Sequence, residues 1–188
     1  SEILWQEDII SAGDVLMVVR NNYFWLDEKS EAGFLANGDI IEVTRIKEII
    51  ERYGFKFAKA SIRLMDYENE NEIDTILLLD TINSESPSLK YDEYKKLYTE
   101  VGLDYKGQKD INKKIKENEF FNAIQIKFGY SITCHKAQGG QWKNVFIDIG
   151  YFKKEMLNKN YLRWLYTAFT RSTENLYLIG FNNEFFEN

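Results

Sequence analysis

The sequence predicts two kinds of folded unit in one chain: a small antiparallel β-barrel, then an α/β unit with parallel strands. Three observations carry this expectation. Short apolar strands bounded by turn residues recur over residues 11–82. A polar stretch with helical period then follows the single proline, Pro87. From Phe121 onward the order is strand, loop, strand, helix, strand, and apolar strands in that order belong to α/β units. Hydrophobic residues make up 44% of the 188 and aromatics 15%, enough for a real core, so intrinsic disorder is excluded.

Gly13–Arg20 reads as a strand because β-branched and apolar residues follow a Gly-Asp turn signal, and Asn21-Asn22 then turns the chain. Asn37-Gly38-Asp39 is a hairpin signal leading into a strand over Ile40–Thr44. Further strands are expected over Lys56–Leu64 and Ile73–Leu79, and this even spacing is that of a barrel. Tyr23, Phe24 and Trp25 stand beside Arg20, a combination that suits base stacking, but such residues more often fill a barrel, and the core is where they are expected. Asn83–Leu89, with Pro87 between two serines, reads as a linker. Tyr91–Val101 and Asp110–Glu117, rich in Lys and Glu, read as solvated helices of an insertion that ends at residue 120. The α/β part then takes strands at Ala123–Phe128, Val145–Ile149 and Leu176–Ile179 and a helix over Tyr161–Thr170. Neither an internal repeat nor a low-complexity tract is present.

The charge is uneven. Net charge is −6, yet residues 121–188 carry 8 Lys and Arg against 5 Asp and Glu, while residues 1–120 carry 16 against 25. Nucleic-acid affinity comes mostly from cations that neutralise phosphates, so any such contact is expected in the last third. The longest apolar run, Val15–Val19, is far below the roughly 20 residues of a membrane span, and neither a membrane protein nor a secretory precursor is expected. One cysteine, Cys134, forbids an internal disulfide and a multi-cysteine zinc site, which points to a reducing cytoplasm. A first residue of Ser raises the expectation of a piece of a longer protein.

The densest polar cluster runs from Tyr130 to Trp142 and contains Thr133, His135, Lys136, Gln138 and the pair Gly139-Gly140. Glycines that let backbone approach a phosphate, N–H groups at a helix start and a Lys suit anion binding. A Gly-Gly turn with a helix N-cap at Thr133 and a core-facing His fits the same composition. Cys134 and His135 are adjacent and cannot face each other as a catalytic dyad, and no metal-ligand spacing surrounds the His. The second cluster, Leu165–Arg171, has the pattern of an amphipathic helix, whose terminal Arg interacts favourably with the negative end of the helix dipole.

In order, Thr133-x-His135-Lys136-x-Gln138-Gly139 and, after a strand, Tyr166-Thr167-Ala168-x-Thr170-Arg171 resemble motifs V and VI of superfamily 1 DNA helicases of the RecD-like branch. Gly13–Asn22 with Asn37–Val43 is similar to the SH3-like barrel inserted in the second motor domain of that branch. The resemblance covers residues 11–45 and 121–181. It implies a partial RecA-like second motor domain over 121–188, an SH3-like barrel over 11–82, and a linker with helical insertion over 83–120. It further implies that Thr133 and His135 contact phosphates of the translocating single strand with Lys136 as electrostatic support. Gly139 and Gln141 would face the nucleotide, where the family usually has Glu at the second position; an amide still hydrogen-bonds a ribose hydroxyl, without the charge. Arg171 would be the motif VI arginine finger, stabilising charge at the γ-phosphate.

What is absent limits the chain alone. A P-loop requires Gly-x4-Gly-Lys-[Ser/Thr]; Gly102–Asp110 places its Lys one position late, without a following hydroxyl or a preceding apolar strand. Asp80 and Asp148 end apolar runs without the following Glu of the helicase type and read as structural. The expectation is therefore the C-terminal part of an ATP-dependent DNA helicase acting in repair or recombination, inert by itself. Its ATP and Mg²⁺ would be held by an N-terminal RecA-like domain of the same polypeptide. Its partners would be single-stranded DNA and, by the same resemblance, subunits of an exonuclease complex. The alternative is a non-catalytic binding module on a degenerate helicase domain. A nuclease is disfavoured, because no carboxylate cluster has two-metal spacing.

Overall fold

The structure is a computed structural model that describes residues 9–67, 71–181 and 185. It divides into two compact units, Ser1–Tyr130 and Ser131–Asn188. The first contains β1 (Val15–Val18), β2 (Ile40–Arg52), β3 (Phe55–Leu64), β4 (Ile73–Leu78), α1 (Tyr91–Leu103), α2 (Ile111–Lys116) and β5 (Ile124–Phe128). The second contains β6 (Trp142–Asp148), α3 (Lys159–Phe169) and β7 (Ser172–Ile179). Among the described residues, no helix is long and apolar enough to cross a membrane.

In the first unit the five strands close into a barrel in the order β1-β2-β3-β4-β5. Its interior is a cluster of aliphatic side chains in which Leu16, Val18, Ile41, Val43, Ile62, Leu77, Ile124 and Ile126 are fully buried. The strand at 124–128, expected in the α/β unit, belongs to the barrel. It pairs antiparallel with β1, Val18 opposite Ile126, and parallel with β4, Leu77 opposite Ile124. The physical reason for the difference is that a short apolar run buried on both faces looks the same in a parallel sheet and in a barrel wall. Strand β2 also runs past Thr44 to Arg52, because its outer half pairs with the start of β3 down to Arg52 opposite Phe55. Tyr53 and Gly54 make the turn, both with positive φ (56° and 69°), the backbone of a two-residue hairpin turn that matches strand twist.

Helices α1 and α2 are only half solvated. Leu97 and Val101 of α1 and Ile115 of α2 bury themselves against Phe55, Phe57, Ile76, Leu78 and Phe120, forming a second core on the outer face of β3 and β4. At one end Asp104, the C-cap of α1, accepts from Arg52 Nη2 at 2.8 Å and from the Tyr53 hydroxyl. The Arg52 guanidinium lies over the rings of Tyr53 (4.7 Å) and Phe120 (5.1 Å). Burial and the hydrogen bond to the Asp104 carboxylate push the Tyr53 phenol up to about 12. The aromatic trio after β1 is not core as expected: Tyr23 is 69% and Phe24 38% exposed, and only Trp25 is half-buried. The loop containing them is held from outside the barrel by Asn122, so two of its rings face solvent.

In the second unit β6 and β7 pair in parallel, Val145 opposite Leu176 and Asp148 opposite Ile179, with α3 as the crossover between them. Asn158 caps α3 by accepting from the backbone N–H of Asn160 (3.0 Å) and Tyr161 (3.1 Å). Phe146 and Tyr177 stack across the strands with centroids 4.4 Å apart, and both are exposed.

Two predictions follow from the barrel unit. The buried Thr81 hydroxyl sits 2.8 Å from the Leu78 carbonyl and 2.9 Å from that of Ile126, and it accepts from the Ile126 N–H at 3.1 Å. Thr81→Val leaves that N–H without an acceptor and is expected to cost about 1–3 kcal/mol in urea unfolding at unchanged m-value, with Thr81→Ser close to wild type. The raised folded pKa of Tyr53 means that its neutral form is favoured in the native state. Its contribution is therefore complete below the unfolded value near 10 and is lost as pH rises towards about 12. The difference in urea midpoint between wild type and Tyr53→Phe should shrink from pH 9 to pH 11.5; a constant difference refutes the assignment.

Candidate functional site

The site is built where α3 ends and β7 begins. Thr167 and Thr170 bond back into the last turn: Thr167 Oγ1 donates to the Arg163 carbonyl and Thr170 Oγ1 to that of Tyr166, each at 2.9 Å. The Thr170 hydroxyl thus adds a second donor to a carbonyl of the last turn, which already accepts from the Thr170 N–H at 3.1 Å, and the Thr167 hydroxyl adds one to a carbonyl a turn further back. Arg171 follows as the first residue past the C-cap Thr170. Its Nε donates to the Thr167 carbonyl (2.9 Å), Nη2 to Thr170 Oγ1 (3.0 Å) and Nη1 to the Gly140 carbonyl (3.0 Å). The favourable contact between a terminal Arg and the carbonyl end of the helix is realised in the first of these bonds. The third reaches across to the other cluster. One N–H on each terminal nitrogen remains beyond these bonds.

The second wall is the stretch 133–142. The Thr133 carbonyl accepts from the N–H groups of Lys136 (2.9 Å) and Ala137 (3.1 Å), a single helical turn that does not continue. This differs from the strand-to-helix turn expected from sequence. Gly139 at φ 88° takes a left-handed conformation that ends the turn, and the chain enters β6 directly, with the Trp142 N–H donating to the Arg171 carbonyl at 2.9 Å. His135 is exposed and not core-facing, and Thr133, Lys136, Gly139 and Gln141 are exposed with it, while Ala137 is the buried anchor of the turn. A Cβ at Gly139 would have nothing within 4 Å, so the approach to its backbone is open. Cys134 points the other way: its thiol is 3.5 Å from the Trp164 carbonyl, and burial pushes its pKa up despite the opposing pull of Arg171. A thiol held protonated is a poor nucleophile, which agrees with the sequence argument against a Cys-His dyad.

The two clusters therefore meet at the Arg171 to Gly140 bond. Gly139 and Gln141 flank the glycine whose carbonyl holds the guanidinium, and Thr133, His135 and Lys136 occupy the adjoining turn. Sequence reasoning took Gly140 only as half of the Gly139-Gly140 pair, a backbone approach to phosphate or a turn, and gave Trp142 no role at the site. The structure gives each a definite role, since a Cβ at position 140 would lie 2.3 Å from the Trp142 indole. A Gly-Gly pair two residues before a Trp was the available signal. The two acids that end apolar runs each hold a backbone N–H: Asp80 accepts from Lys56 at 2.6 Å and Asp148 from Gly150 at 2.8 Å. Among the described residues no group of three His, Cys, Asp or Glu side chains could hold a metal ion. The near P-loop at 102–110 lies at the end of a helix, not after a strand.

Gly140→Ala tests this packing. The added methyl displaces the Trp142 ring, and a loss of about 1–3 kcal/mol with a red shift in indole emission is expected. The emission shift should vanish in a Trp142→Phe background; an unchanged spectrum and melting temperature refute the contact. No curated protein matches the chain. Residues 128–179, which span the 133–142 turn, β6, α3, Arg171 and β7, match the family model of the UvrD-like helicase C-terminal domain, and this supports the C-terminal part of a superfamily 1 helicase.

Proposed function

We propose that this chain contributes the C-terminal part of the second motor domain of an ATP-dependent, RecD-like DNA helicase, with the five-stranded unit as its inserted SH3-like barrel. The observation that carries the reading is the bond from Arg171 to the Gly140 carbonyl, which joins the two motif-like clusters inside the stretch similar to the helicase domain. The motor part is taken from residue 131, since the strand at 124–128 belongs to the barrel.

On this reading Arg171 is the arginine finger. Its spare terminal N–H groups suit a second, anionic acceptor, and its bonds to Thr167, Thr170 and Gly140 fix its direction. The open left-handed backbone of Gly139 and the exposed amide of Gln141 suit a nucleotide beside it. Bound ATP with Mg²⁺ supplies the phosphoryl transfer that drives movement. The P-loop and metal ligands come from an N-terminal RecA-like domain, because the sequence of this chain lacks both. Thr133 and His135 contact the phosphates of single-stranded DNA, and Lys136 adds positive charge to the same turn. Repair or recombination, with an exonuclease complex as a further partner, is the setting that the RecD-like resemblance suggests.

The test is ATPase activity with and without single-stranded DNA, for this chain and for a longer chain that includes an upstream P-loop domain. The short chain should be inert and the longer one stimulated by DNA. Arg171→Ala in the longer chain should lower kcat by about 10³- to 10⁵-fold. Arg171→Lys, which keeps the charge without the fork, should also be strongly impaired. If Arg171→Ala hydrolyses ATP normally, or the longer chain is inert, the finger assignment fails and a binding module becomes the better account.

A further inference from the structure

We infer that the cleft between the loop after β1 and helices α1 and α2 is a second binding site for unpaired nucleotides of single-stranded DNA, an inference that rests on the nucleic-acid reading above. The cleft measures about 310 Å³, at the lower end of the roughly 300–1,000 Å³ of small-ligand pockets. It lies wholly within the barrel unit, and its walls include Arg20, Tyr23, Phe24, Tyr94 and Lys116.

Three features of this cleft converge on one ligand chemistry. The first is exposed aromatic surface on a fixed backbone. Tyr23 stacks on Phe34 at 4.7 Å and Phe24 meets Trp25 edge-on at 5.0 Å, yet Tyr23 remains 69% exposed. The loop that presents them is pinned at both ends. The Asn122 carbonyl accepts from Asn22 Nδ2 (2.7 Å) and Trp25 Nε1 (2.8 Å), the Phe24 N–H donates to Asn22 Oδ1 (3.0 Å), and the Asn37 N–H donates to Asn21 Oδ1 (2.8 Å). Rings held in place before binding lose little freedom when a base stacks on them.

The second feature is charge. Arg20 lies over the Tyr94 ring at 4.6 Å, Lys116 also lines the cleft, and among the described residues no Asp or Glu does. No ion pair among the described residues engages either cation. In a region with 25 acidic against 16 basic residues, this is a local reversal of sign. The third feature is the combination itself. Rings beside cations bind the flat face of a base and its phosphate together, as an unpaired strand offers them and a duplex, with its bases stacked inside, does not. Such stacking tolerates any base, so the site holds the strand without reading its sequence.

The experiment uses the full 188-residue chain with a fluorescein-labelled oligothymidine at low salt, read by anisotropy. Tyr23→Ala should weaken binding by about 5- to 150-fold, whereas Tyr23→Phe, which keeps the ring, should bind as wild type. Lys116→Ala should reduce the slope of log K against log salt by about 0.7. A 5-bromodeoxyuridine oligonucleotide should photo-cross-link to Tyr23, Phe24 or Tyr94. His135→Ala and Lys136→Ala, on the 133–142 turn, separate the two readings. If they weaken binding while Tyr23→Ala and Lys116→Ala do not, or cross-links map only to 131–142, the cleft site is overturned and the motor reading stands. If the chain binds no oligonucleotide, the cleft site is overturned, and the motor reading is decided by the DNA-stimulated ATPase activity of the longer chain. Far-UV circular dichroism of each variant shows that lost binding is not lost fold.

Discussion

The return of β5 between β1 and β4 is the constraint on which the first unit depends. Without it the barrel is an open sheet with two unpaired edges, β1 on one side and β4 on the other. The parallel seam with β4 is short, Leu77 opposite Ile124 and Leu78 opposite Gln125, and it is reinforced by the Thr81 hydroxyl bonded to Ile126. Everything between β4 and β5 must leave the barrel and come back. Helices α1 and α2 fill that excursion, and they are tolerated because they cover Phe57, Ile76 and Leu78, which would otherwise put apolar surface into water. The same excursion creates the cleft, since Tyr94, Lys116 and Asn122 all belong to it while Arg20 and Tyr23 belong to the loop after β1.

The second unit has a different economy. A parallel pair of strands is ordinarily covered on both faces, and here Phe146, Tyr177 and Ile179 are exposed on a sheet of two strands. What holds this unit's geometry is polar: carbonyls at the end of α3 accept from Thr170 and Arg171, and Arg171 then reaches the turn before β6. A guanidinium in this position ties two loops together and keeps N–H groups for a further acceptor.

Much of this was legible in the sequence. The strands of the barrel were read from short apolar runs bounded by turn residues, with Gly-Asp and Asn-Gly marking the first two, and α3 from its apolar spacing; the extension of β2 from Thr44 to Arg52 was not, because it rests on pairing with β3. The parallel pairing of β6 and β7 followed from strand-helix-strand order. The two polar clusters were found because unusual residue types are dense there, and their junction at Gly140 is a tertiary fact that spacing does not encode. The strand at 124–128 went to the wrong sheet for a similar reason. Sequence patterns show how a strand is buried, but its partners β1 and β4 lie far back in the chain. Tyr23 and Phe24 were expected inside because aromatic residues usually are; only the Asn22, Trp25 and Asn122 bonds reveal that the loop turns them outward.

The distance in sequence between β1 and β5 also has a temporal side. Leu16 pairs with Phe128, so the barrel has high contact order and cannot close until its fifth strand exists. During synthesis at about 5–20 residues per second, the roughly 50 residues from β4 to the end of β5 take several seconds to appear. For that interval β1 and β4 present bare edges and an open aliphatic interior. Residues 1–120 carry an acidic excess over the same stretch, and net charge of one sign opposes association of such open chains.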